Sequence, residues 1–160
     1  PRTLRRLYKN HAGGILPCAV RILLVDDDTR FLDALEALLE TLPGMEVAGR
    51  AHDGLEAIDM AADLLPDVVL IDLQMPRMSG VLATKRIHAE MPDARIVILS
   101  GSDVISHERE SAAAGAVAYV PKASTVTALP QLRDKAKGAA ALVLEVRRGN
   151  TVLLVPLRAQ

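Results

Sequence analysis

Aromatic side chains are almost missing from this sequence. Tyr8, Phe31 and Tyr119 are the whole supply in 160 residues, and there is no tryptophan. A core without rings must be aliphatic, and the 50% apolar content supplies it as Leu, Val, Ile and Ala. Cysteine occurs once, at Cys18, so no disulfide can close within the chain; a reducing, cytoplasmic setting is expected. No apolar run reaches membrane-spanning length. The amino terminus carries Arg2, Arg5, Arg6 and Lys9 but no apolar signal-peptide segment. A net charge of −1 argues against bulk nucleic-acid binding. Gly13-Gly14 precedes the first strand, which excludes phosphate-binding Gly-rich loops of the P-loop or dinucleotide type. No helix-turn-helix pattern follows the last helix, so no DNA-binding domain is expected in these residues.

What is present is a regular alternation. Residues 1–19 read as a loose basic extension. Arg21–Val25 is a short apolar strand ending in Asp26-Asp27-Asp28, of which one acid can cap the next helix. Phe31, Leu32, Leu35, Leu38, Leu39 and Leu42 recur at helical spacing, and Pro43-Gly44 ends the helix. Met45–Ala51 reads as a second strand. Asp53 with Glu56 resembles a capping box opening a helix with Leu55, Ile58, Met60, Ala61 and Leu65 as its apolar pattern. Val68–Ile71 reads as a strand buried on both faces and stops at Asp72. Ser79 opens a third helix, with Val81, Leu82, Ile87 and Met91 expected inward. Arg95–Leu99 is a fourth strand, followed by Ser100. Residues 103–114 predict a polar, weakly packed helix closed by Gly115. Val117–Val120 is a fifth strand, leading into Pro121-Lys122, and a last helix runs to about Lys137. Two apolar runs, 142–146 and 151–155, flank Arg147-Arg148-Gly149-Asn150 and read as a hairpin.

The fivefold strand–helix alternation predicts an α/β fold: a doubly wound five-stranded parallel sheet with helices on both faces, carrying a hairpin-like tail. The boundaries are 1–19 for the extension, 20–138 for the domain and 139–160 for the tail. In a parallel sheet all strand ends lie on one edge. Asp26, Asp27, Asp72, Ser100 and Lys122 should therefore converge. Clustered carboxylates suit a hard cation such as Mg²⁺, which takes about six oxygens. Asp27 and Asp72 could ligate directly, Asp26 through water, and the Gln74 backbone carbonyl could add another oxygen. A carboxylate beside a divalent ion and an ammonium can accept a phosphoryl group.

These residues carry a resemblance. Over roughly Arg21 to Gly138 the chain is similar to the receiver domains of bacterial two-component response regulators, the CheY-like superfamily. The Asp-Asp pair after the first strand, Asp-x-x-Met-Pro-x-x-x-Gly at 72–80, Ser100, and Ala-Tyr-Val-Pro-Lys at 118–122 stand in the family's order and spacing. The resemblance implies a flavodoxin-like fold of strand order 2-1-3-4-5, with Asp72 as phosphoacceptor and a partner histidine kinase or phosphotransfer protein as donor. It also implies that Ser100 and Lys122 bind the phosphoryl group and that Tyr119 is a switch aromatic. A surface within 103–137 would then meet a partner or a second copy. The chain departs from the family where Ala123, not proline, follows Lys122, so no cis bond is expected there, and where Gln74 replaces the usual Asn. Two rivals stand beside this reading: a hydrolase with an Asp nucleophile, disfavoured because Gln74 occupies the general-acid place, and a phosphate-independent pseudo-receiver, disfavoured by the complete acid–lysine set.

Overall fold

The computed structural model describes residues 8–9, 15–16, 19–42, 44–101, 107–123, 142–148 and 151–157. Five strands form one sheet: β1 (Val20–Val25), β2 (Met45–Ala51), β3 (Val68–Asp72), β4 (Arg95–Ser100) and β5 (Ala118–Pro121). They lie in the order β2-β1-β3-β4-β5, every neighbouring pair parallel. Three helices of ten or more residues join them: α1 (Thr29–Glu40), α2 (Gly54–Leu64) and α3 (Gly80–Glu90). The flavodoxin-like order that the resemblance implies is thus the observed one.

The central strands β1, β3 and β4 are β-branched and leucine-rich and almost wholly buried, so the sheet separates two apolar layers. On one side Leu32, Leu35 and Leu39 of α1 pack on Ile22, Leu24, Leu70, Val97 and Leu99. On the other, Ala57 and Ala61 of α2 and Ala83 and Ile87 of α3 pack on Leu23, Val25, Val69, Ile71, Ile96 and Ile98. Side-chain oxygens cap all three helices: Asp28 accepts from Arg30 and Phe31 N–H groups, Asp53 from Leu55 and Glu56, and Ser79 from Leu82. The box at α2 is displaced by one residue, since Glu56 accepts from the His52 N–H rather than from Asp53.

Several expectations need correction. Leu55, Leu65 and Leu82 are exposed, because alanines and Ile87 hold the inward positions of α2 and α3. Of the polar helix expected over 103–114, α4 spans Glu108–Ala113, with His107 before it, and residues 102–106 fall outside the described ones. Val117 is exposed and the fifth strand starts one residue later. The amino-terminal extension is not wholly irregular, since Tyr8–Lys9 pairs antiparallel with Ile15–Leu16. Leu142–Arg148 pairs antiparallel with Thr151–Leu157, so the hairpin is present and each strand runs two residues longer than expected. The expected last helix lies outside the described residues. All described peptide bonds are trans, including the one after Lys122.

Candidate functional site: an acid cluster at the carboxyl edge of the sheet

Strand register brings the site together. β1, β3, β4 and β5 end at neighbouring points, with Asp72 beside Leu99 and Ser100 beside Pro121. Asp26 and Asp27 follow β1 directly, and Lys122 follows β5. Asp26, Asp72 and Ser100 are all buried, whereas Asp27 is exposed. One carboxylate oxygen from each of Asp26, Asp27 and Asp72 lies within 4.8 Å of the others. The Lys122 ammonium bridges two of them, 2.7 Å from Asp26 Oδ2 and 3.0 Å from Asp72 Oδ1.

Backbone donors aim the remaining oxygens. The Asp28 N–H donates to Asp26 Oδ1 at 2.9 Å, and the Gln74 N–H donates to Asp72 Oδ2 at 3.2 Å. Asp26 Oδ2 has the Lys122 ammonium at 2.7 Å as its ion-pair partner. A carboxylate oxygen held only by an ammonium keeps a second lone pair that a cation can take. Three hard oxygen donors with such an atom among them fit a divalent cation of the magnesium or calcium type.

Burial pushes the Asp72 carboxyl above the ordinary carboxylate range. Lys122 pulls it back through its hydrogen bond and charge, and the nearby Asp26 charge pushes it further up. Burial acts against the Lys122 charge too, but contacts with Asp26 and Asp72 outweigh it, and its pKa is raised. Two buried acids against one ammonium leave the pocket with surplus negative charge. That is an electrostatic reason for it to attract a further cation.

The loop after Asp72 is fixed by a close approach. The Leu73 N–H donates to the Leu99 carbonyl, and the Gly80 N–H donates to the Leu73 carbonyl. A Cβ at Gly80 would stand 1.9 Å from the Asp72 carbonyl oxygen, so only glycine fits. Arg77, left-handed at φ 65°, reaches across to Asp53 at 3.0 Å and ties the loop to the start of α2. Beside the acids lies an open cleft of about 470 Å³. Asp27, Gln74, Met75, Pro76, His107 and Glu110 are among its lining residues.

The sequence-derived set of Asp26, Asp27, Asp72 and Lys122 is brought together. Ser100 is at the end of β4, next to this group, and Gln74 contributes a backbone donor and lines the cleft. Tyr119 is half-buried on β5 opposite Ile98, in the layer beneath α2 and α3. Phe31 was missed. Its ring centroid lies 4.8 Å from Lys122 Nζ, a cation–π contact from α1. The signal was there: the sole phenylalanine of the chain comes three residues after the acid triplet. The Asp53–Arg77 pair was unreadable, since nothing in their spacing marks a contact.

With that geometry in place, comparison with known proteins is informative. Residues 22–133 match the family model described as the response regulator receiver domain. Among curated proteins, the chain is 38% identical over 120 residues to the transcriptional regulatory protein LiaR of Bacillus subtilis, covering 74% of this chain and 57% of that one. It is 39% identical over 103 residues to the transcriptional regulatory protein MctR of Rhizobium johnstonii, covering 64% and 48%. It is 43% identical over 106 residues to a protein-glutamate methylesterase/protein-glutamine glutaminase of Geobacter metallireducens, covering 64% and 30%. The chain thus spans between 30% and 57% of the length of these relatives. Among solved structures, the response regulator domain of Thermotoga maritima CheB aligns with a TM-score of 0.65 at 31% identity, over 73% of this chain and 92% of that one. The signal receiver domain of Mycobacterium tuberculosis NarL aligns at 0.68 and 29%, over 77% and 100%. By name these relatives are transcriptional regulators on one hand and an esterase on the other. The chain belongs to the response regulator receiver domain family.

Proposed function

We propose that Asp72 accepts a phosphoryl group from a phosphohistidine on a partner kinase or phosphotransfer protein, and that the acyl phosphate switches a protein-interaction surface. The observation that carries this is the convergence of three carboxylate oxygens within 4.8 Å, with Lys122 bridging Asp26 and Asp72. In the transfer a carboxylate oxygen of Asp72 bonds to phosphorus as the P–N bond to the donor imidazole breaks, and the nitrogen keeps the electron pair. Mg²⁺, when bound, neutralises phosphoryl oxygens and helps hold them in line. Asp26, Asp27, Asp72 and the Gln74 carbonyl are the groups that would hold it. Lys122 neutralises charge from the other side, and Ser100 donates a hydrogen bond to a phosphoryl oxygen. Gly80 keeps the Asp72 main chain from retreating.

The chain's own catalysis is limited to receiving and losing this group. Residues 20–138 form the receiver unit in this reading, with 1–19 and 139–160 as extensions, and the setting is the cytoplasm, where kinase and receiver meet. The switch passes through Ser100 and Tyr119 toward α4 and β5. The partner-facing part of 103–137 lies mostly outside the described residues. No helix among the described residues is long and apolar enough to cross a membrane. Incubation with labelled acetyl phosphate and Mg²⁺ should give an acid-stable, base-labile adduct on the parent and none on Asp72→Asn. Equal labelling of the variant would overturn the assignment. Fast, sustained hydrolysis of small phosphate esters would instead favour the hydrolase reading, and absence of Mg²⁺ binding the pseudo-receiver.

A further inference from the structure

The ring of Phe31 stands at the acid pocket, and the phosphoryl-transfer steps above give it no task. Its centroid lies 4.8 Å from Lys122 Nζ, inside the range over which a ring face attracts a cation. The acid triplet itself sets this position. The Asp28 N–H donates to Asp26 Oδ1 at 2.9 Å, and Asp28 Oδ1 in turn accepts from the N–H groups of Arg30 and Phe31 at 3.0 and 3.4 Å. Asp28 thereby ties the first turn of α1 to the pocket. Phe31 is half-buried and packs against the aliphatic layer under α1 that includes Val120. Lys122 follows Val120 by two residues, and its side chain, only 21% exposed, reaches Asp26 and Asp72. A lysine stem is long and flexible, and holding it in one course costs rotamer entropy. The ring of Phe31 meets that stem at its charged end.

We propose that Phe31 is a positioning residue for phosphoryl transfer, its ring face keeping the Lys122 ammonium in the pocket while that ammonium changes partners; this rests on the reading of Asp72 as the phosphoacceptor. Before transfer Nζ is shared by Asp26 Oδ2 at 2.7 Å and Asp72 Oδ1 at 3.0 Å. An oxygen of Asp72 then bonds to phosphorus as the bond from phosphorus to the leaving group breaks, and the leaving group keeps that electron pair. Negative charge then sits on the phosphoryl oxygens rather than on the carboxylate, and the ammonium must turn to follow it. A hydrogen bond to a carboxylate oxygen depends on angle and resists such a turn. A ring face draws the cation through its quadrupole, without a directed proton, so the contact survives the turn. The ring carries no net charge, so it leaves the balance between acids, ammonium and a divalent cation unaltered. An aliphatic side chain of similar bulk would fill the space and supply none of this attraction.

Phe31 is the sole phenylalanine among the 160 residues, so growth on a fluorinated phenylalanine alters this one side chain. Each added fluorine weakens the pull of the ring face on a cation and nearly keeps the ring's shape. With acetyl phosphate and Mg²⁺, labelling at Asp72 should slow stepwise from the parent through the monofluorinated to the trifluorinated protein, about fivefold in all. Phe31→Leu should be slowed about equally, and Phe31→Tyr, which retains a ring face, should stay within about twofold of the parent. In the metal-free protein the Lys122 Cε protons, identified by their absence from Lys122→Gln, should resonate upfield of the other lysines through the ring current. They should lose that shift in Phe31→Leu. Equal rates in the parent, trifluorinated and leucine proteins would overturn the proposal. So would a rate that falls in Phe31→Leu alone, because bulk and not the ring face would then be what matters. Should Phe31→Leu fail to fold, the fluorinated series still decides. A parent that takes no label would sink the phosphoacceptor reading and this role with it. Labelled variants of unchanged rate would leave Asp72 in its role and remove only Phe31.

Discussion

The two sides of the sheet are closed by different means. On one side α1 inserts Leu32, Leu35 and Leu39, each at most 1% exposed, so helix and sheet both contribute bulk. On the other, the fully buried positions of α2 and α3 are mostly small, Gly54, Ala57, Ala61, Gly80, Ala83 and Thr84 beside Ile87, so the strands' Ile, Val and Leu side chains fill much of the layer, with Ile58, Met60 and Leu64 of α2 packed at its margin. Gly49 of β2 makes room for two of these: a Cβ there would come within 2.6 Å of the Met60 and Leu64 side-chain tips. Small residues at the centre of the contact go with Leu55 and Leu82 on the outside. A helix that seats through alanine has a spare apolar side, whereas a helix that seats through leucine does not.

The contrast can be broken experimentally, beginning with the largest effect. Leu39→Ala on α1 should cost about 3–4 kcal/mol in chemical denaturation, since it leaves a cavity in a filled layer. Ala83→Leu on α3 should cost about 2 kcal/mol by overpacking, although it adds apolar surface. If it stabilised the chain, the close fit of α3 would be disproved. Between these layers and the polar edge a third comparison applies. Asp72→Asn should raise stability by about 1 kcal/mol at neutral pH without divalent cations, because it removes one of two buried acids sharing one ammonium. The native pKa of Asp72 is raised. Its contribution is therefore most favourable below the unfolded value of 3.8 and is lost as pH climbs through the native value. The variant's advantage should accordingly be absent at low pH and open toward neutrality in thermal melts. Lys122 behaves with the same sign at alkaline pH: its contribution holds below the unfolded value of 10.5 and disappears as pH rises through the raised native one. Smallest of all, Leu82→Gln should change monomer stability by less than about 0.5 kcal/mol.

These layers also explain what could be read in advance. β1, β3 and β4 were legible because doubly buried strands are continuous apolar runs, and α1 because its leucines recur at helical spacing. α2 and α3 were located correctly by their caps, Asp53 and Ser79, but their inward faces were misassigned. Hydrophobic periodicity follows the larger side chains, and here several of those point outward. Asp26, Asp27, Asp72 and Lys122 were legible because topology alone carries strand ends to one edge. The ring of Phe31 under Lys122 and the Arg77–Asp53 tie depend on side-chain reach across elements, and strand order does not encode that.

Lys122 has one more implication. A tethered ammonium gripping two sunken acids acts as an internal counter-ion, so part of the negative charge at the mouth of the sheet is already offset when the chain collapses. Folding need not wait for an external metal. Loading and signalling can then come and go on a scaffold whose assembly is complete without them.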